Sequence, residues 1–113
     1  MKQRIFVMLF LSVFAVSAAA WAERFNNVPL VDANCAGKVQ ANPDANTRAC
    51  ELPCQKSGLG IITADGKFLK FDAKGNAEAI QLLSKSTKAD HLRVNVTGKA
   101  ADGTLAVQSI SMK

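Results

Sequence analysis

The chain has 113 residues, three cysteines, one histidine and a net charge of +5. That length suits one modest hydrophobic core and a single domain, and the small charge gives little support for a nucleic-acid or anionic-membrane partner. The first 22 residues read differently from the rest. Lys2 and Arg4 precede an apolar run from Ile5 to Val16, and Ala20-Trp21-Ala22 is a small-x-small cleavage site. This is the pattern of a secretory signal peptide, too short for a comfortable transmembrane helix. Residues 1–22 are therefore expected to be removed, leaving a single domain over 23–113, periplasmic or secreted, with no membrane anchor. Losing Lys2 and Arg4 leaves 12 basic residues against 9 acidic ones, a net charge of +3.

After Glu23 the chain gives a short apolar run, Val28-Pro29-Leu30-Val31. Proline cannot donate to a ladder, so the first strand is expected to begin at Leu30 or to lie on an edge. A polar insertion follows, with Asn42-Pro43-Asp44 as a turn signal. Asp44 is a candidate N-cap for a short helix through Ala45, Arg48, Ala49 and Leu52, which Pro53 should end.

Leu59–Ala64 and Lys67–Phe71 flank Asp65-Gly66, which predicts a hairpin with a two-residue type I′ turn. In that register Ala64 faces Lys67, Ile62 faces Leu69 and Gly60 faces Phe71. Ile62, Leu69 and Phe71 then share the core side; Ile61, Thr63, Phe68 and Lys70 share the other. Asn76 can cap a helix from Ala77 to Lys85, with Ala79, Ile80, Leu82 and Leu83 on one face.

The last third predicts a second hairpin around Asp102-Gly103. Leu92, Val94 and Val96 alternate strictly before it. The returning strand changes parity between Val107 and Ile110, which predicts a bulge near Gln108-Ser109. Strand, cysteine-bearing insertion, strand, strand, helix, strand, strand is the element order of a five-stranded OB-like barrel, mainly β with helices (α+β).

Several motifs resemble a group of small secreted bacterial domains of uncharacterised function. They are Leu30-Val31-Asp32-x-x-Cys35, Thr47-Arg48-x-Cys50-x-x-x-Cys54, Ser57-Gly58-x-Gly60, Asp65-Gly66-Lys67-Phe68 and Lys70-Phe71-Asp72. In that group the residue before Thr-Arg is often histidine; here it is Asn46. The element order also resembles the OB-fold stress proteins of the bacterial periplasm. The resemblance implies a fold and a compartment, and no activity.

The chemistry of the chain is concentrated in Cys35, Cys50 and Cys54. In an oxidising compartment three cysteines suggest one disulfide and one spare thiol. Cys35 could pair with Cys50 or Cys54, or Cys50 with Cys54. The competing reading is a site for a thiophilic metal ion held by Cys35, Cys50 and Cys54, with Asp32 the nearest carboxylate and His91 far away in sequence. A thiol-redox role is third, because Cys-x-x-x-Cys near a helix C-terminus disfavours a thiolate. His91 falls on the polar parity of its strand, and no nucleophile, metalloprotease or phosphate-loop motif occurs. One phenylalanine, Phe68, is thin as a stacking platform for nucleic acid, and the insertion is expected to cover it. The expectation is an exported non-enzymatic binding or stress-related module, its ligand or partner unidentified.

Overall fold

A computed structural model describes residues 22–51 and 55–113; the signal-peptide prediction, Cys54 and the helix-ending role of Pro53 fall outside the described residues. Five strands are present, β1 (Glu23–Asp32), β2 (Leu59–Ile62), β3 (Phe68–Phe71), β4 (Arg93–Ala101) and β5 (Thr104–Met112). Two α-helices accompany them, α1 (Arg48–Glu51) in the insertion after β1, and α2 (Ala73–Lys85) between β3 and β4. The strands close into a barrel in the order β1-β2-β3-β5-β4, with β3 and β5 parallel and the other pairs antiparallel. The protein is thus a mainly β, closed mixed barrel with helices. Among the described residues no helix is long and apolar enough to cross a membrane.

The core follows from strand alternation. Leu30, Leu59, Ile61, Phe71, Leu92, Val94, Val96, Leu105 and Val107 point inward, and Ala79 and Leu83 of α2 pack onto them. β5 pairs with β3 only at Thr104 and Leu105, so α2 covers the remaining gap on that side. Gly75 lets the helix sit this close, because a Cβ there would overlap Val107.

β1 begins well before Leu30. Its first part pairs with β4, bulges between Phe25 and Val28 around Asn27 at φ 54°, and only from Leu30 onward pairs with β2. Pro29 falls where the strand passes from one partner to the other, which is how a proline is accommodated inside it.

The β2–β3 register differs from the prediction by one residue. Ile61 faces Leu69 and Ile62 faces Phe68, so Ile61 and Leu69 belong to the core and Ile62 and Phe68 to the opposite face. The cause is the turn. Gly66 has φ 81° whereas Asp65 stays out of the left-handed region, and Thr63 and Lys67 form the closing pair. This is a three-residue loop, a type I turn followed by a left-handed glycine. The Thr63 hydroxyl fixes it by donating to Asp65 and accepting from the Lys67 amide. A one-residue slip exchanges the faces, as the period of two requires. At Asp102-Gly103 both residues have positive φ, 52° and 77°, and there the two-residue type I′ turn is made. The bulge expected in β5 is also present, with Gln108 the extra residue between Thr97↔Ser109 and Gly98↔Val107.

α2 starts four residues earlier than predicted. Asp72, not Asn76, is its N-cap. The Asp72 carboxylate accepts from the Gly75 amide at 2.9 Å and from the Val107 amide at 3.3 Å, tying the helix to β5 as well as capping it. Asn76 accepts instead from the Leu59 amide of β2.

Candidate functional site

The insertion between β1 and β2 forms a cap over the outer face of the β2–β3 hairpin. Ala36 and Val39 of the cap pack with Val31, Ile62 and Phe68 in a small second hydrophobic cluster. Gly60 makes room for the Phe68 ring, since a Cβ at that position would lie 2.7 Å from it. Phe68 is therefore half-buried beneath the cap, not displayed for stacking.

Polar anchors hold the cap at four places. Gln40 donates to the Gly66 carbonyl at 2.7 Å. Asp44, expected as a helix cap, instead forms a two-pronged ion pair with Arg93, at 3.1 and 3.0 Å. The Arg93 hydrogen bond is the main reason the Asp44 carboxyl lies below its ordinary pKa. Arg48 donates to the carbonyls of Leu83 and Ser84 at 3.0 and 3.2 Å in the last turn of α2, where the Leu83 carbonyl also accepts from the Ser86 amide. Its backbone amide donates to Ala89. The fourth anchor is buried: Asn46 Nδ2 donates to Asp32 Oδ1 at 2.8 Å. A cleft of about 360 Å³ runs beside the cap, lined by Asn26, Asn27, Gln40 and Arg93 among others. Arg93 is already engaged there by Asp44 and by the Asn27 carbonyl, so its charge is not free for an anion.

Under the cap lies a polar cluster. Asp32 and Glu51 are 0% exposed and Asn46 is 2% exposed. The second oxygen of Asp32 accepts from the Cys35 amide at 3.1 Å. Three oxygens in the cluster have no hydrogen-bond partner: Asn46 Oδ1 and both carboxyl oxygens of Glu51. Burial, with added repulsion from Asp32 and then Cys50, pushes the Glu51 carboxyl up to about 9. Desolvation leads because water, the usual stabiliser of a carboxylate, is excluded and no donor replaces it.

The predicted site residues are distributed around this cluster. Cys35 is half-buried in the turn after β1, directly beside Asp32. Cys50 is exposed on α1, next to Glu51, with its amide capped by the Thr47 hydroxyl at 3.3 Å. Of the three pairings left open by the sequence, Cys35–Cys50 is not formed, and no disulfide occurs among the described residues; the two pairings that involve Cys54 lie outside them. Among the described residues, no three cysteine, histidine, aspartate or glutamate side chains gather in a metal-holding group. His91 is exposed, with Nδ1 3.1 Å from Asp90. Asn46 and Glu51 were not predicted as site residues. The one signal for the first was the expectation, implied by the resemblance, that a histidine often precedes Thr-Arg; nothing in the sequence marked the second. Comparison with protein-family models, curated proteins and solved structures gives no significant match.

Proposed function

We propose that this chain is an exported, non-enzymatic binding module of OB-like architecture whose working element is the cysteine-bearing cap. The observation that carries this reading is the closure of the cap over Phe68 and Ile62. On an OB-like barrel the β2–β3 face is the customary oligonucleotide surface. Here that face is covered, which supports a ligand other than nucleic acid, and the cap with its thiols presents the distinctive chemistry. Anchors to β1, the β2–β3 turn, α2 and β4 hold the segment on a rigid scaffold, as binding loops are held.

A second reading is favoured by the position of Cys35 and Cys50 around a buried carboxylate cluster: the cap binds a thiophilic cation through Cys35, Cys50 and Cys54. One experiment separates the two. The protein is purified from the periplasm of an expressing cell, its free thiols are counted by alkylation mass spectrometry, and its metal content is measured. One free thiol and no metal supports a cap stapled through Cys54 that serves another ligand. Three thiols protected by a stoichiometric ion supports the cysteine site. A protein found in the cytoplasm with its first 22 residues intact refutes the exported module.

A further inference from the structure

We propose that the outer edge of β5, with the flank of α2 beside it, is a docking groove for an extended acidic segment of a partner protein, which joins the barrel as an added strand. The inference goes beyond the cap, since no residue of the cap lines this groove.

The short β3–β5 pairing leaves the edge open. β3 meets β5 at Thr104 and Leu105 alone. Beyond it, Asp72 serves the edge, its amide donating to the Leu105 carbonyl and its carboxylate accepting from the Val107 amide. After the bulge the Lys113 amide donates to the Arg93 carbonyl at 2.9 Å, so Lys113 and Ser111 turn their backbone groups toward β4. Alternation along the ladder turns the amides and carbonyls of Ile110 and Met112 the other way, where no strand among the described residues pairs with them. Proteins commonly guard such an edge with proline or charge, and Gln108-Ser109-Ile110-Ser111-Met112 contains neither.

The edge also has a wall to pack against. Glu78, Leu82 and Lys85, at helical spacing on one flank of α2, line a hollow of about 180 Å³ together with Ile110. Leu82 and Lys85 also line an adjoining hollow of about 340 Å³, with Lys88, Met112 and Lys113. The two make one trough, and the half-buried Leu82, Ile110 and Met112 are its apolar surface. Charge is divided along it. Glu78 stands at the Ile110 end, whereas the exposed Lys85, Lys88 and Lys113 surround the Met112 end, with no carboxylate side chain among the residues lining that hollow. A strand laid here bonds to the backbone of Ile110 and Met112 and sets alternate apolar side chains on Leu82. Antiparallel pairing is the more stable sense, and it places the carboxylates at the N-terminal end of the segment, against the lysines.

The probe is a fluorescein-labelled peptide, Asp-Asp-Val-Thr-Val-Lys, titrated into the purified protein by fluorescence polarisation. Saturable binding is expected, about tenfold weaker for the charge-reversed peptide Lys-Lys-Val-Thr-Val-Asp and for the Lys85→Glu protein. Methylating alternate peptide amides should weaken binding about tenfold for the set that faces β5 and leave the other set within about threefold. Met112→Pro removes one outward amide without touching the β4 ladder and should weaken binding about as much as the damaging methylation. No saturation by about 1 mM peptide, equal affinity for the charge-reversed peptide, or indifference to both methylated sets overturns the proposal. Concentration-dependent dimerisation in sedimentation, abolished by Met112→Pro, assigns the edge to a second copy of this chain and overturns it equally. The methylated peptides decide the matter on the wild-type protein, whatever the variants do to folding.

Discussion

Glu51→Gln tests the buried cluster most directly when the protein is metal-free. The native carboxyl is pushed from its ordinary 4.5 to about 9. Between those values the folded protein holds a proton that the unfolded chain has released. The contribution of Glu51 to stability is therefore fully present below pH 4.5 and is lost as pH rises toward 9, by about 1.4 kcal/mol for each unit. From pH 4.5 to pH 7 the loss amounts to about 3 kcal/mol, a large share of a small domain's stability. Glutamine keeps the shape and cannot ionise. In chelator-containing buffer, urea unfolding of the wild type should show falling stability from pH 5 to pH 8.5. Glu51→Gln should remove that slope, becoming the more stable of the two at pH 7 by up to about 3 kcal/mol, with the gap closing near pH 4.5. Parallel curves for the two proteins would refute the reasoning, because they would mean that Glu51 is ionised and compensated in the fold.

Three further outcomes follow from the anchors and the packing. Gly60→Ala should destabilise by about 1–3 kcal/mol by forcing a methyl against the Phe68 ring and the Leu69 carbonyl; thermal unfolding measures it, and a neutral effect would show that the cap does not pack as described. Arg48→Ala removes two hydrogen bonds to the end of α2, should cost about 1–3 kcal/mol, and should raise amide exchange selectively across residues 33–51. Asp44 has a lowered pKa, so its contribution is present above its ordinary value of 3.8 and is lost as pH falls through the depressed one. Asp44→Asn should consequently narrow the difference from wild type as acid unfolding proceeds below pH 3.8, and a constant difference would count against the Arg93 pair.

The parts of the fold that could be read from the sequence were those where one periodicity spoke alone. In β4 and β5 the alternation of Leu92, Val94 and Val96, and the parity change around Gln108, identified both the core face and the bulge. The β2–β3 hairpin was misread because Asp-Gly supports either a two- or a three-residue loop; the choice fell to a hydroxyl at Thr63 that no pattern weighs. The start of α2 was expected at Asn76; Asp72 caps it instead, held by a contact with Val107, 35 residues away in sequence, that local pattern does not reveal. At the site, cysteine announces its own chemistry. The burial of Asp32, Asn46 and Glu51 depends on the cap docking, and polar residues in a polar segment carry no signal of that.

The cap's anchors have a consequence for the order of events in folding. Arg48 waits for Leu83, Ser84 and Ala89, and Asp44 waits for Arg93, so most of what positions the segment from Cys35 to Glu51 lies downstream of it. A chain emerging N-terminus first presents Cys35 and Cys50 to solvent before the residues that orient them exist in folded form. Cys35, half-buried in the finished fold, is at its most accessible early, so any reaction of its thiol competes with the completion of β4, whereas Cys50 stays exposed throughout. The barrel acts on Cys35 as a clock as much as a frame.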